Sequence, residues 1–377
     1  MTDQQDGSGL TIPCHWNKKI IEQMIRQTKE TTGIPISEVY GSFADGGPVG
    51  HGRSKLSVQS VLKQEAIDFR KSLRDLNLNF TYLLNAPFKF TDLKQKEEVD
   101  QYIEWILKEL QPDALTITSH ELMQRVREID ANINIHISTI AGIRNGKDLE
   151  KFLDVKPNRV LPHHDCGKKW DDLKEIIEVG EKHGIETELL VTESCLFQCP
   201  NREAHYMHLA NKTNDEEFHT NCNIRKILNP REFLLAGGTI RPEDTAFFEK
   251  MGVKYFKITG RSKPAEWLPE VVRAYHERNY NGNLIRLLGI DPSLKAEKWI
   301  YIDNKSLDGF IEHFPQTNIH EEEKKYANEW MIKLYENEKF KLNDEIEYIV
   351  ENGELKLKGF GEKVEPIIES ELRRHPR

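Results

Sequence analysis

The chain predicts an α/β fold, a (β/α)8 TIM-like barrel with a C-terminal appendage of helices and a hairpin. Three observations predict it. Short apolar runs bounded by turn residues recur along the chain. Amphipathic segments with helical spacing separate most of them. The alternation also fills about the 250 residues that such barrels typically occupy. The eight runs are ISEVYGSF, NFTYLLNA, ALTITS, NIHISTI, RVLPHHD, ETELLVTES, REFLLAGG and KYFKITG. A doubly wound open sheet is the rival reading. It calls for a Gly-rich dinucleotide turn with an acidic partner, and no such turn follows any of the runs.

In order, residues 1–17 read as irregular, and NKKIIEQMIRQTKETTG reads as a helix. Ile20, Ile21, Met24 and Ile25 form its apolar face, and Gly33 ends it. VQSVLKQEAIDFRKSLRDL, EVDQYIEWILKEL, WDDLKEIIEVGEKHG and PEDTAFFEKMG supply helices between strands, whereas GKDLEKFLDV is short for one. SKPAEWLPEVVRAYHERNY reads as the last helix of the barrel, which places the catalytic unit at 1–280. Residues 281–377 form the appendage: LDGFIEHF and EEEKKYANEWMIKLYENE read as helices, and Asn352-Gly353 between alternating runs reads as a tight hairpin turn.

Composition narrows the class. With 38% hydrophobic and 31% charged residues, the chain can build a real core and stay in solution. Its net charge of −9 gives no general attraction to nucleic acid, although a local basic cleft is compatible with it. No apolar run approaches the roughly 20 residues of a membrane span, so no membrane partner is expected. The N-terminus lacks the apolar core of a signal peptide. Five clustered cysteines do not form a disulfide framework, which points to a cytoplasmic location.

In a barrel of this kind, chemistry gathers at the C-terminal ends of the strands. The first predicted strand end offers Tyr40 and the loop GSFADGGPVGHGRS, whose five glycines permit close backbone approach, with His51 and Arg53 beyond. Later ends offer Asn85, then Ser119 and His120, then His163, His164 and Asp165, then Glu193. Consecutive histidines in a strand face opposite ways, so at most one of His163 and His164 points inward. The last ends offer Arg241, Lys257 and Arg261. Arg241, Lys257, Glu193 and His51 are the catalytic candidates; Arg53, Asn85, Arg261 and Tyr40 are the substrate-binding candidates. Cations at one barrel mouth suit a small carboxylate or phosphate substrate.

Three cysteines and three histidines lie within ESCLFQCPNREAHYMHLANKTNDEEFHTNC. Pro200 disfavours helical geometry at Cys199 and suits a helix start, so Cys195 and Cys199 belong on a loop beside a helix N-terminus, where thiolates or an anionic metal cluster are stabilised. Cys195, Cys199, His219 and Cys222 form C-x3-C-x19-H-x2-C, close to a structural zinc site. Three thiolates with an open iron suit an iron–sulfur cluster equally. The residues alone leave zinc and iron–sulfur open.

The combination VYGS…GHGR, ESCLFQCPNREAH, a later Cys followed by P-x-E-F, TIRPED and FKITGR resembles the collagenase-like peptidase family U32, over about residues 10–265. The resemblance implies oxygen-independent hydroxylases acting on ubiquinone precursors, tRNA or rRNA, with a 4Fe-4S cluster on four cysteines and, in several relatives, prephenate as oxygen source. It places Cys195, Cys199 and Cys222 among the cluster ligands and tips the balance from zinc to iron–sulfur. The fourth cysteine is missing from this stretch, which leaves Cys14, Cys166, His219 or an open iron. The implied function is modification of a small or RNA-borne substrate, with a second family member as a possible partner subunit. A metal-dependent hydrolase and a non-catalytic, metal-stabilised subunit are the alternatives, and no Ser-His-Asp or Cys-His pair stands at a recognisable spacing to support the peptidase label.

Overall fold

Alternation within each strand sends neighbouring residues into two separate cores, and this two-sided burial is what shapes the molecule. In the computed structural model, which describes residues 7–53, 58–211, 216–288, 300–316, 320–342 and 346–360, eight parallel strands close into a barrel. They are β1 (Gly9–Pro13), β2 (Ile36–Gly41), β3 (Asn79–Leu84), β4 (Ala114–Ile117), β5 (Asn134–Ile137), β6 (Arg159–Val160), β7 (Glu186–Leu190) and β8 (Tyr255–Lys257). Each pairs with the next, and β8 returns to β1 through Thr11 opposite Lys257. Leu10, Ile12, Val39, Phe80, Tyr82, Ile135, Ile137, Phe256 and Ile258 face outward into the main apolar core. Each of these residues is withdrawn from water, and burial of this kind contributes about 1.5–3 kcal/mol per large side chain.

The inward positions are polar. Thr11, Thr81 and Thr116 come from β1, β3 and β4, and each is at most 1% exposed. Glu38, His136, Arg159, Glu188 and Lys257 come from the other five strands and are all buried. Barrel interiors are more commonly filled by branched apolar side chains.

The strand count is as the sequence predicts, but two members differ. REFLLAGG is not a strand: Glu232–Leu235 form a helical turn, and Ala236–Gly238 continue as loop. The eighth strand is instead Gly9–Pro13, in the segment expected to be irregular. GLTIP is buried throughout and so is FLLAGG within the other run, and periodicity cannot tell a buried helical turn from a buried strand at that length. After β5 the chain forms only a short helix, Gly146–Glu150, with 3-10 turns on either side. Elsewhere the expected helices form: α1 (Lys18–Lys29) is capped by the Asn17 side chain, and Leu268–Glu277 packs against it as the last barrel helix.

Beyond residue 281 the chain makes an antiparallel pair (Ile300–Ile302 with Phe340–Leu342), a helix (His320–Glu336) and a hairpin (Ile346–Glu351 with Glu354–Phe360). Asn352 and Gly353 both take positive φ (54° and 76°), the two-residue turn that their sequence calls for. LDGFIEHF forms turns and no α-helix, and the tail IIESELRRHPR lies outside the described residues. The appended elements rest on the barrel's long β7–β8 connection and on the segment that follows β6. The Tyr348 hydroxyl donates to the Ile227 carbonyl (2.6 Å), and Lys169 pairs with the fully buried Glu323 (2.5 Å). Among the described residues, no helix is long and apolar enough to cross a membrane.

Candidate functional site

The barrel mouth collects most of the residues that strand ends nominate. Tyr40, the last but one residue of β2, turns inward, and its hydroxyl donates to the Ile258 carbonyl (2.9 Å). Lys257 lies beneath it, with its ammonium 4.0 Å from the ring centre, a cation–π contact in a buried setting. Arg261, just past β8, donates to the Ser42 hydroxyl (2.7 Å) and the His51 carbonyl (2.9 Å), which fastens the glycine-rich loop across the mouth. Arg53 reaches from the far end of that loop to Glu193 (3.0 Å). Asn85 is half-buried beside Gly52: a Cβ there would stand 3.2 Å from the Asn85 carbonyl oxygen.

Burial and charge act on these groups in opposition. Burial works against the charged form of Arg53, but Glu193 and Cys195 outweigh it and hold its pKa above the usual value. For Arg261 burial is the largest influence and, aided by Arg53, pulls it down to about 10. His51 is pushed down to about 4 by burial and by Arg261. It is neutral at pH 7, and its Nε2 sits 3.0 Å from the Ala44 carbonyl. That contact makes it a loop-holding residue.

Arg241 does not join this group. Its guanidinium makes paired bonds to Asp244 (2.9 and 2.7 Å) and reaches the Asn304 carbonyl (2.8 Å) and Asp308 (2.9 Å). It therefore ties the appendage to the barrel, and the expectation that it is a catalytic cation at the mouth is corrected. The reason is tertiary: its partners at 304 and 308 come from a segment that the spacing of strand ends does not reveal. His163 and His164 also differ from expectation. β6 ends at Val160, so the two histidines lie on the following turn, both are buried, and their rings meet at 5.9 Å.

The cysteine stretch fills the start of the β7–β8 connection. Cys195 lies next to the Glu193 carboxylate (Sγ to Oε1, 3.7 Å), and burial together with Glu193 pushes its thiol up to about 11. Cys199 precedes a helix (Arg202–Ala210), and Cys222 sits on the next one (Glu216–Leu228). These two thiols share a hydrogen bond, so Cys222 is pushed up while Cys199 drops to about 6. The Asn201 backbone N–H at the helix start also favours the Cys199 thiolate, as the Pro200 break predicts. Cys222 senses both Cys195 and Cys199, which places the three thiols in one neighbourhood. A small cavity of about 20 Å³ opens beside Cys199 and Cys222, with His205, Phe218 and Arg225 on its wall.

Cys14 and Cys166 lie elsewhere. Cys14 follows β1 and its sulfur packs against Gly41, while Cys166 points at the Ile143 and Arg144 carbonyls (3.8 and 3.6 Å). Burial holds both thiols neutral. The His219 side chain lies outside what the structure describes. Among the described residues, no three His, Cys, Asp or Glu side chains already converge as a ready metal site.

Three groups that sequence reasoning missed complete the surroundings. Arg202 is 6% exposed, pairs loosely with Asp165 (3.5 Å), donates to the Leu196 carbonyl, and is felt by Cys195. Its Nε and Nη1 have no acceptor among the described residues. Lys226, 2% exposed, donates to the Ser194 hydroxyl (3.1 Å) and faces Cys222, Cys195 and Glu193. The Tyr206 hydroxyl stands 2.5 Å from His164 Nε2. Helical spacing from Cys199 and Cys222 was the only available signal, since Arg202 and Lys226 follow them by three and four residues.

Comparison with known proteins places the chain. The sequence matches the model of Peptidase family U32 over residues 64–281, more than half its length. The chain belongs to peptidase family U32. A protein of Methanocaldococcus jannaschii, described as an uncharacterized protease, is 29% identical over 294 residues, covering 74% of this chain and 83% of that protein. A solved U32 peptidase superposes with a TM-score of 0.47 at 11% identity, covering 69% of this chain and 97% of its own. An uncharacterized B. cereus protein gives 0.35 at 12% identity, covering 82% and 81%.

The U32 match contains Cys166, the three clustered cysteines, Arg202, Lys226, Arg241, Lys257 and Arg261. Tyr40, His51 and Arg53 precede it, so the barrel supplies the glycine-rich side of the mouth from outside the matched segment. Two glycines fix the geometry between the halves. A Cβ on Gly167 would meet the Gly237 carbonyl at 1.9 Å, and one on Gly237 would meet the His164 carbonyl at 2.1 Å. This close approach presses the β6 turn, with Asp165, against the cysteine connection. Asp165 then accepts from the Gln198 N–H (3.2 Å) and braces the loop between Cys195 and Cys199.

Proposed function

We propose that this U32 protein is an enzyme that holds an iron–sulfur cluster on Cys195, Cys199 and Cys222, and that it modifies a small anionic or RNA-borne substrate without oxygen, most simply by hydroxylation. The observation that carries the reading is the pairing of three neighbouring thiols with buried cations. Arg202, with two donors lacking acceptors among the described residues, and Lys226 both face Cys195. Three thiolates with their metal leave net negative charge, and buried charge needs a partner. The donor set fits a soft metal centre, thiolate-rich with no competing carboxylate beyond Glu193 among the groups named. Bound there, a cluster with one open iron supplies Lewis-acid or electron-transfer chemistry.

The chain's own residues have separate tasks in this reading. Arg53 and Arg261 bind the substrate's anionic group, each charge-assisted contact being worth about 1.5–3 kcal/mol. Glu193, fixed between Arg53 and Cys195, orients Arg53 toward the sulfur side. Lys257 and Tyr40 form the floor.

The test is anaerobic purification with iron, acid-labile sulfide and zinc assays. Brown protein that loses iron in Cys195→Ala, Cys199→Ala and Cys222→Ala supports the reading. Stoichiometric zinc without iron, after attempted reconstitution with iron and sulfide, refutes it. A thermal-shift screen of carboxylates, phosphates and short RNAs against wild type and Arg261→Ala then tests the anion site.

One observation favours a second reading, a hydrolase true to the family name. His205 lines the same cavity as Cys199 and Cys222, which brings an imidazole beside two thiols. Peptide turnover that survives loss of the cluster would select it.

A further inference from the structure

The interior of the barrel, below the mouth, is polar in a way that the proposed chemistry does not use. One inward side chain from each strand forms a ring at mid-height, and all are buried. Arg159 stands at its centre of charge. Its guanidinium lies 3.1 Å from Glu38 and 3.5 Å from Glu188, and over the Tyr255 ring at 3.5 Å. Lys257 closes the ring toward the mouth, and the charges of Glu38, Glu188, Arg159 and Lys257 balance.

Their hydrogen bonding does not balance. Both carboxylate oxygens of Glu188, the Oε1 of Glu38, the Nε of Arg159, and the Thr11 and Thr116 hydroxyls have no hydrogen-bond partner among the described residues, the Glu188–Arg159 contact being an ion pair at 3.5 Å. A buried polar group left unpaired costs about 1–3 kcal/mol, more when charged. So many in one place exceed what a marginally stable fold sustains. They come from β1, β2, β4, β6 and β7 and face one enclosed interior. Water satisfies such groups when a site offers it two to four polar partners. A dissolved cation fits poorly, because Arg159 and Lys257 already neutralise the carboxylates.

We propose that the barrel core encloses a cluster of ordered water, and that this water links the carboxylates of Glu38 and Glu188 to the Lys257 ammonium, making Lys257 a proton-exchanging group at the floor of the mouth. Lys257 is placed for this: Thr11 and Leu190 flank it across the sheet, Tyr40 covers it, and Glu188, Glu38, Arg159 and Arg261 are the charged groups that act on it, with the neutral His136 nearby. Burial, joined by Arg159 and Arg261, draws its pKa below the usual lysine value, and Glu188 and Glu38 oppose that pull. The inference requires no metal and stands whether or not the cysteines bind one.

Three measurements on the full chain test it. A crystal structure should show ordered water within hydrogen-bonding distance of the Glu188 carboxylate and the Thr116 hydroxyl; a dry core with these groups paired to protein overturns the proposal. Thr116→Val keeps shape and removes one hydroxyl. It should lower the melting temperature if that hydroxyl holds water, whereas a rise or no change means the hydroxyl was simply unsatisfied and overturns it. Finally, carbon-13 NMR of labelled lysine, with Lys257 assigned through Lys257→Met, follows its titration in wild type and Glu188→Gln. Loss of the carboxylate should weaken proton binding at Lys257 about tenfold or more. An unchanged midpoint removes the link. If Glu188→Gln fails to fold, the first two measurements decide.

Discussion

Replacing Arg241 with Ala separates a structural cation from a substrate-binding one. In the wild type, the Arg241 and Asp244 side chains are only 5% and 6% exposed and are joined by two bonds of 2.9 and 2.7 Å. Removing the guanidinium leaves Asp244 buried and uncompensated, and breaking a buried pair this way costs about 3–5 kcal/mol. Its contact with Asp308 adds little, because that carboxylate is 63% exposed and surface pairs contribute about 0–1 kcal/mol. The Asn304 carbonyl also loses one of its two donors and keeps only the Leu307 N–H, which loosens the appendage. Burial already raises the Asp244 pKa, against the pull of Arg241 and Lys168. Without Arg241 it should rise further, so the variant's deficit should shrink as pH falls and Asp244 becomes neutral. Denaturant unfolding of Arg241→Ala, Asp308→Ala and wild type at pH 7 and pH 5 is the assay. A large loss for Arg241→Ala, under about 1 kcal/mol for Asp308→Ala, and a smaller Arg241→Ala deficit at pH 5 are expected. Wild-type stability combined with lost anion binding would refute the reasoning and return Arg241 to the site.

Other outcomes follow from single contacts. His51, with a usual pKa of 6.5 and a folded value of about 4, binds a proton more readily when unfolded, so stability should fall as pH drops from about 6.5 toward 4. His51→Gln should flatten that part of the wild-type pH–stability curve, and an unchanged slope would show that the ring is not buried neutral. Gly237→Ala should prevent stable folding, because its Cβ would stand 2.1 Å from a carbonyl oxygen; a melting temperature near wild type would contradict the close approach. Asp165→Asn removes the negative charge between Arg202 and Arg144 (3.5 Å from each) and weakens the brace on Gln198. Metal-free protein carrying it should show faster thiol alkylation at Cys195, read by mass spectrometry, whereas an unchanged rate would mean the loop holds itself.

Local pattern in the sequence was enough for the barrel, for most of its helices, for the Asn352-Gly353 turn and for the cysteine loop beside a helix start. Each depends on neighbours within a few residues, where periodicity, Pro200 and turn chemistry act directly. The exchange of REFLLAGG for GLTIP as a strand marks the limit of that information. At four or five residues, burial on all sides erases the difference in period, and only closure of β1 onto β8 decides which segment pairs. Tertiary structure also divided the cations. Arg53 and Arg261 meet across the mouth because a glycine-rich loop folds over it, whereas Arg241 turns to partners more than sixty residues away. Arg202 and Lys226 read as ordinary helical surface residues until the helices pack their charged ends against Cys195. The polar ring inside the barrel was equally hidden: one Thr, Glu, His, Arg or Lys per strand looks like the solvent face of an alternating pattern, and only closure of the sheet turns that face inward.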